Sequence, residues 1–82
     1  MTLEIKNPVF NSFKIYPNPT NDFVTVESES TVDKIEVYNL LGQLIISQKS
    51  NKINLSDYNK GIYMIQIVFE NGQKSTQKII KE

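Results

Sequence analysis

The sequence predicts a small all-β fold, an antiparallel β-sandwich of about seven strands. Three observations carry that expectation. Alanine is absent while Ile, Val, Thr, Tyr and Phe are abundant, a bias toward residues that suit a pleated, half-buried surface. Strand-like runs alternate with turn signals roughly every 8–12 residues from Phe13 onward. No window of about 11 residues keeps a helical apolar period with helix-forming residues. A chain of 82 residues is one domain. It is expected to bury roughly 60–65% of its unfolded surface, so its core is thin.

Residues 1–12, which carry Pro8, read as a linker or residual upstream segment, leaving 13–82 as the folded domain. The first strand is Phe13-Lys14-Ile15-Tyr16, closed by Pro17-Asn18-Pro19, whose two rings fix φ and remove two backbone donors. Asp22 to Ser28 follows, with Val24 and Val26 on one face. Past the polar patch Glu29-Ser30-Thr31, the run Lys34 to Leu40 points Ile35 and Val37 one way, Glu36 and Tyr38 the other. Leu41-Gly42 reverses the chain into a strand from Gln43 to Gln48. A short strand, Lys52 to Leu55, precedes a loop with one helical-type turn, ended by Gly61 in a left-handed conformation. Ile62 to Phe69 is apolar on both faces except at Gln66, which predicts a central strand. Asn71-Gly72 signals a type I′ hairpin, and Gln73 to Lys81 returns as the last strand. Links this short make the strands antiparallel.

Composition excludes several functions. Nine lysines, no arginine and nine acidic residues leave no net charge, which argues against nucleic acid and against attraction to an anionic membrane. Without Cys or His there is no disulfide framework, no thiolate or imidazole metal site and no imidazole base. Asp22, Glu27, Glu29, Asp33 and Glu36 fall on strand exteriors and turn flanks, which suits solvated surface better than a glycosidase pair. Asn18, Asn21 and Asp22 with Glu27 or Glu29 offer oxygens of the kind calcium takes, but not at the spacing of a calcium loop. The Ser and Thr hydroxyls have no base to activate them. Neither catalysis, nor a cofactor, nor a metal is expected.

Binding surfaces stay open at this level. Either Tyr16, Tyr38, Tyr58 and Tyr63 form a stacking platform or, more simply, Tyr38 and Tyr63 sit at the core edge with hydroxyls reaching water. Lys74, Lys78 and Lys81 either guard an edge strand or flank Ile79-Ile80 for docking by strand addition. No apolar run approaches the roughly 20 residues needed to span a bilayer, and the N-terminus lacks a signal-peptide pattern.

The pieces also stand in a familiar order. Phe13-x-Ile15-Tyr16-Pro17-Asn18-Pro19-Thr20-Asn21-Asp22 is followed by Ile35-x-Val37-Tyr38-Asn39-x-x-Gly42-Gln43, then Ile53-x-Leu55, Gly61-Ile62-Tyr63 and Lys78-Ile79-Ile80-Lys81. In this order the chain resembles the type A C-terminal sorting domain of the type IX (Por) secretion system of Bacteroidetes, from about Phe13 to Glu82. The resemblance implies an immunoglobulin-like sandwich acting as a secretion signal for a covalently joined upstream cargo. It implies partners as well: an outer-membrane translocon, a shuttle protein and a sortase-like protease that typically removes the domain at the cell surface. The implied route is the periplasm in transit, then the outer-membrane surface or the exterior.

Carried over by resemblance, the first motif maps to Pro17, Asn18 and Pro19, and the glycine-aromatic motif to Gly61 and Tyr63. The terminal basic motif maps to Lys78, Ile79, Ile80 and Lys81, while Gly42, Asn71 and Gly72 are structural turn residues. Pro17–Pro19 and the terminal strand are expected to be exposed enough to be read. Because Met1–Ser12 hold neither cargo nor export signal, the resemblance implies a domain taken from a longer protein. The alternative is an accessory immunoglobulin-like module that binds carbohydrate or spaces an adhesin. Self-association through an edge strand is a further expectation to test.

Overall fold

Period-two alternation decides which way each strand faces. A computed structural model describes residues 13–82, so the expected segment 1–12 lies outside the described residues. The strands are β1 (Phe13–Tyr16), β2 (Phe23–Ser28), β3 (Val32–Tyr38), β4 (Leu44–Gln48), β5 (Lys52–Asn54), β6 (Gly61–Phe69) and β7 (Lys74–Lys81). They form a three-stranded sheet, β1-β2-β5, and a four-stranded sheet, β4-β3-β6-β7, with antiparallel neighbours throughout. Pairing of β2 with β5 and of β3 with β6, with the chain crossing between sheets after β2, β4 and β5, is an immunoglobulin-like arrangement.

The inward residues of both sheets meet in one core. Ile15, Val24, Val26 and Ile53 come from the small sheet; Ile35, Val37, Ile65, Ile67, Phe69 and Ile79 come from the large one. Alternation is cleanest on β6, where Tyr63, Ile65, Ile67 and Phe69 are buried and their neighbours half-buried. As expected, β6 is a central strand. Its apolar outer residues Ile62, Met64 and Val68 are shielded by cross-strand neighbours rather than by a second layer: Met64 lies between Tyr38 and Lys78, and Val68 between Lys34 and Lys74.

The structure departs from expectation mainly at turns. Leu40 lies outside β3, because the Asn39 side chain captures the next amides and ends the pairing at Tyr38. Both hairpins close on three residues rather than two. In β3–β4, Asn39 N–H donates to Gln43 C=O and Gly42 N–H to Asn39 C=O, each at 3.0 Å. In β6–β7, Phe69 N–H donates to Gln73 C=O and Gly72 N–H to Phe69 C=O, each at 2.9 Å. The two-residue type I′ turn expected at Asn71-Gly72 is thus a longer loop, Glu70–Gly72, with glycine in the positive-φ third place. Gly42 and Gly72 have φ of 81° and 90°. The turn before β6 is present, with Tyr58 N–H donating to Leu55 C=O at 3.0 Å. Gly61, however, opens β6 at φ 152°, because it pairs with Lys81 and must run on as strand instead of capping the turn.

Ile65 is fully buried at the middle of β6, so Ile65→Ala should cost about 2–5 kcal/mol. A urea titration should show a large fall in midpoint with an unchanged slope.

Candidate functional site

The corner between β1 and β2 is built by what proline cannot do. Pro17 and Pro19 offer no N–H, so the chain leaves the β1–β2 ladder after Tyr16; both preceding peptide bonds are cis. The freed segment reaches across the sandwich to the outer edge of β7. Asn18 Oδ1 accepts the Ile80 N–H at 3.0 Å, and Asn18 Nδ2 donates to the Lys78 C=O at 3.1 Å. Thr20 N–H donates to the Ile80 C=O at 2.9 Å, and Thr20 C=O accepts the Glu82 N–H at 2.8 Å. Thr20 therefore bridges Lys81 in parallel, joining the two sheets along their open side.

Thr20 is only 2% exposed, and its hydroxyl is satisfied on both counts. It donates to the Phe23 C=O and accepts the Asp22 N–H. Asp22 in turn accepts the Phe23 N–H at 2.6 Å on Oδ1 and the Leu55 N–H at 2.7 Å on its carbonyl. Asn18 Oδ1, Asp22 Oδ1 and the Asp22 carbonyl are thus each engaged with a backbone N–H. Among the described residues no group of three or more acidic, His or Cys side chains is placed to hold a metal.

On the inner side of β7, Gly61 pairs with Lys81, Ile62 with Ile80 and Tyr63 with Ile79. Three sequence motifs far apart in the chain therefore meet at one end of the sandwich: Pro17–Pro19, Gly61–Tyr63 and Lys78–Lys81. Two expectations are corrected there. Alternation splits the terminal motif, so Ile79 is wholly buried and Lys81 is 9% exposed, leaving Lys78 and Ile80 on the open face. Tyr63 is a core residue whose hydroxyl donates to the Asn59 C=O at 2.6 Å, and not a core-edge ring reaching water. Gly42 lies at this same end, in the β3–β4 turn, whereas Asn71 and Gly72 lie at the opposite one.

The tyrosines form no common platform. Tyr58 is half-buried, donates to the Ile45 C=O at 3.2 Å and meets the Tyr63 ring edge-on at 6.4 Å. Tyr38 lies on the outer face of the large sheet, donating to Glu36 Oε1 at 3.2 Å. Desolvation, followed by the charge and hydrogen bond of Glu36, pushes its phenol pKa above the ordinary value. Tyr16 is exposed at the corner.

A family model described as the secretion system C-terminal sorting domain matches residues 14–82. The chain belongs to this sorting-domain family. Similar proteins include Beta-agarase A of Zobellia galactanivorans, 36% identical over 96% of this chain but 15% of the agarase. An ulvan lyase of Nonlabens ulvanivorans is 29% identical over 96% of this chain and 16% of the lyase. Beta-agarase D of Zobellia galactanivorans is 33% identical over 82% of the chain and 14% of its own length. The sorting domain therefore spans about a sixth or less of the relatives it matches. It is a C-terminal secretion signal of the type IX class, exported toward the cell surface or beyond.

Within the sorting domain, the residue that sequence reasoning passed over is Thr20. The available signal was a Thr ahead of Asn-Asp after proline, a setting in which the hydroxyl bonds the backbone two residues on. Asn18→Ala removes two bonds to β7 and should lower stability by about 1–3 kcal/mol. By hydrogen exchange, the Ile80 amide should lose more protection than that of Ile65.

Proposed function

We propose that the secretion machinery reads this sorting domain at the end where the corner, the start of β6 and the close of β7 converge. The convergence itself carries the proposal, together with its position. Phe13 opens β1 at the far end, paired with Ser28, so upstream chain joins there. The clamped end begins where β1 stops, the length of that four-residue strand away, about 13 Å. A cargo folded upstream leaves that end clear.

On this reading the domain passes through the periplasm with its cargo, is delivered by a shuttle protein and engages the outer-membrane translocon. A sortase-like protease then cuts upstream of the folded domain. Pro17, Asn18, Pro19, Lys78 and Ile80 supply the exposed part of the address; Gly61, Tyr63, Ile79 and Lys81 hold β7 in place beneath it. The family match favours this role over an accessory carbohydrate-binding or spacer module, and the scattered tyrosines give the latter no surface.

The test is a reporter carrying a signal peptide, fused ahead of the 82-residue chain and expressed in a Bacteroidetes cell. The fusion is expected at the cell surface or in the medium, and removal of Lys78–Glu82 should hold it in the periplasm. Periplasmic retention of the intact fusion, with working machinery, would overturn the proposal. Replacing Pro17 and Pro19 by Ala, with stability and export measured separately, distinguishes reading of the rings from a purely structural role. Export lost at unchanged melting temperature would mean that the rings themselves are read.

A further inference from the structure

The β3–β4 turn shows leucine where turn chemistry asks for polar residues. Leu40 is 69% exposed and Leu41 83%. The turn itself does not require them. The β6–β7 hairpin has the same hydrogen-bond closure and the same positive-φ glycine, yet carries Glu70 and Asn71 in the matching places.

Asn39 holds the leucines in one fixed presentation. Its Oδ1 accepts the Leu41 N–H at 2.9 Å and the Gln43 N–H at 3.0 Å, and its Nδ2 donates to Gln43 Oε1 at 2.8 Å. Its backbone N–H and C=O close the turn with Gln43 and Gly42. A turn tied by five hydrogen bonds and displaying two bare leucines is preorganised for contact. From Val37 to Gln48 the chain carries no charge.

Position adds to this. Among the described residues the exposed large apolar side chains are Tyr16, Phe23, Leu40, Leu41, Leu44 and Ile80. All belong to the end that holds the clamped corner, as strand register requires. From β4 to β7 is three strand spacings, about 14 Å, within the span of one protein interface.

Resting on the sorting role proposed above, we infer that Leu40 and Leu41 form a knuckle that seats in an uncharged apolar hollow on a protein of the secretion machinery. A convex, rigid and neutral tip needs a concave, neutral partner. Two hollows on the described surface of this chain do not suit it: they are lined by Phe13, Lys14, Glu27 and Glu29 and by Glu29, Phe69 and Glu70, so each carries carboxylates.

The test uses the same reporter fusion to the full chain, comparing wild type with Leu40→Ser/Leu41→Ser and Leu40→Met/Leu41→Met. The Ser pair is expected to cut surface reporter at least tenfold, with accumulation in the periplasm and an unchanged melting temperature, whereas the Met pair keeps export. The single variants Leu40→Ser and Leu41→Ser give the same reading should the double variant unfold. Export of the Ser variants at the wild-type level, with the wild type exported, overturns the knuckle alone; retention of the wild type overturns the sorting role instead. Two binding measurements on the purified chain address other occupants. A Leu-dependent dimer by light scattering, or Leu-dependent flotation with phosphatidylcholine vesicles, would overturn the protein hollow in favour of a second copy or of lipid.

Discussion

The grip of Thr20 and Asn18 on β7 is the contact on which the rest of the sorting domain depends. A two-sheet sandwich of this size has open sides, and its last strand has β6 on one flank only. The outward groups of Lys78, Ile80 and Glu82 are the ones at risk near the chain end, where fraying is usual. The corner takes up the Ile80 N–H and C=O, the Lys78 C=O and the Glu82 N–H. It acts there as a short extra strand with an amide side chain in place of a missing ladder bond. With that edge held, Ile79 stays in the core and Gly61 keeps its pairing with Lys81.

The same contact explains why proline suits the corner on both sides. Facing β2, the two rings remove donors that would otherwise extend the small sheet. Facing β7, they leave Asn18 between them as the group that can donate and accept, and its amide does both at normal distances. Replacing that amide with a carboxylate would keep the acceptor for Ile80 and lose the donor to Lys78, so the geometry calls for Asn at this position.

Strands were legible in the sequence because alternation and β-branched residues are local properties. The run from Ile62 to Phe69 declared its central place, and Val24 and Val26 their face. Turns were less legible. Whether Asn71-Gly72 closes as two residues or three depends on the register of β6 against β7, which no dipeptide encodes. Gly61 departs from expectation for a related reason: its φ is positive, but the strand after it, and not the turn before it, sets its conformation. The candidate site was legible as motifs and illegible as a place. That Asn18 would meet Ile80, across 62 positions of sequence, follows only from the sandwich closing. The split of the Lys78–Lys81 motif was available from alternation alone, since neighbouring residues on a strand face opposite ways.

A division of labour then runs through the motifs. The residues that gave them their recognisable order are largely turned inward or bound to backbone: Asn18 on β7, Thr20 in the corner, Asn39 and Gly42 in the turn, Tyr63 on Asn59. Positions between them face water, and at the clamped end several of those positions, beside the exposed Lys78, are apolar: Leu40 and Leu41 between Asn39 and Gly42, Ile80 beside Ile79, Tyr16 ahead of Pro17. Scattered exposed leucines on a surface call for no explanation, but several gathered at one end of a thin domain do. A domain with so small a core has little stability to lose, which favours rigid framing by local hydrogen bonds over framing by extra packing. The frame is therefore polar and the displayed surface apolar, the reverse of a domain built only to stay soluble.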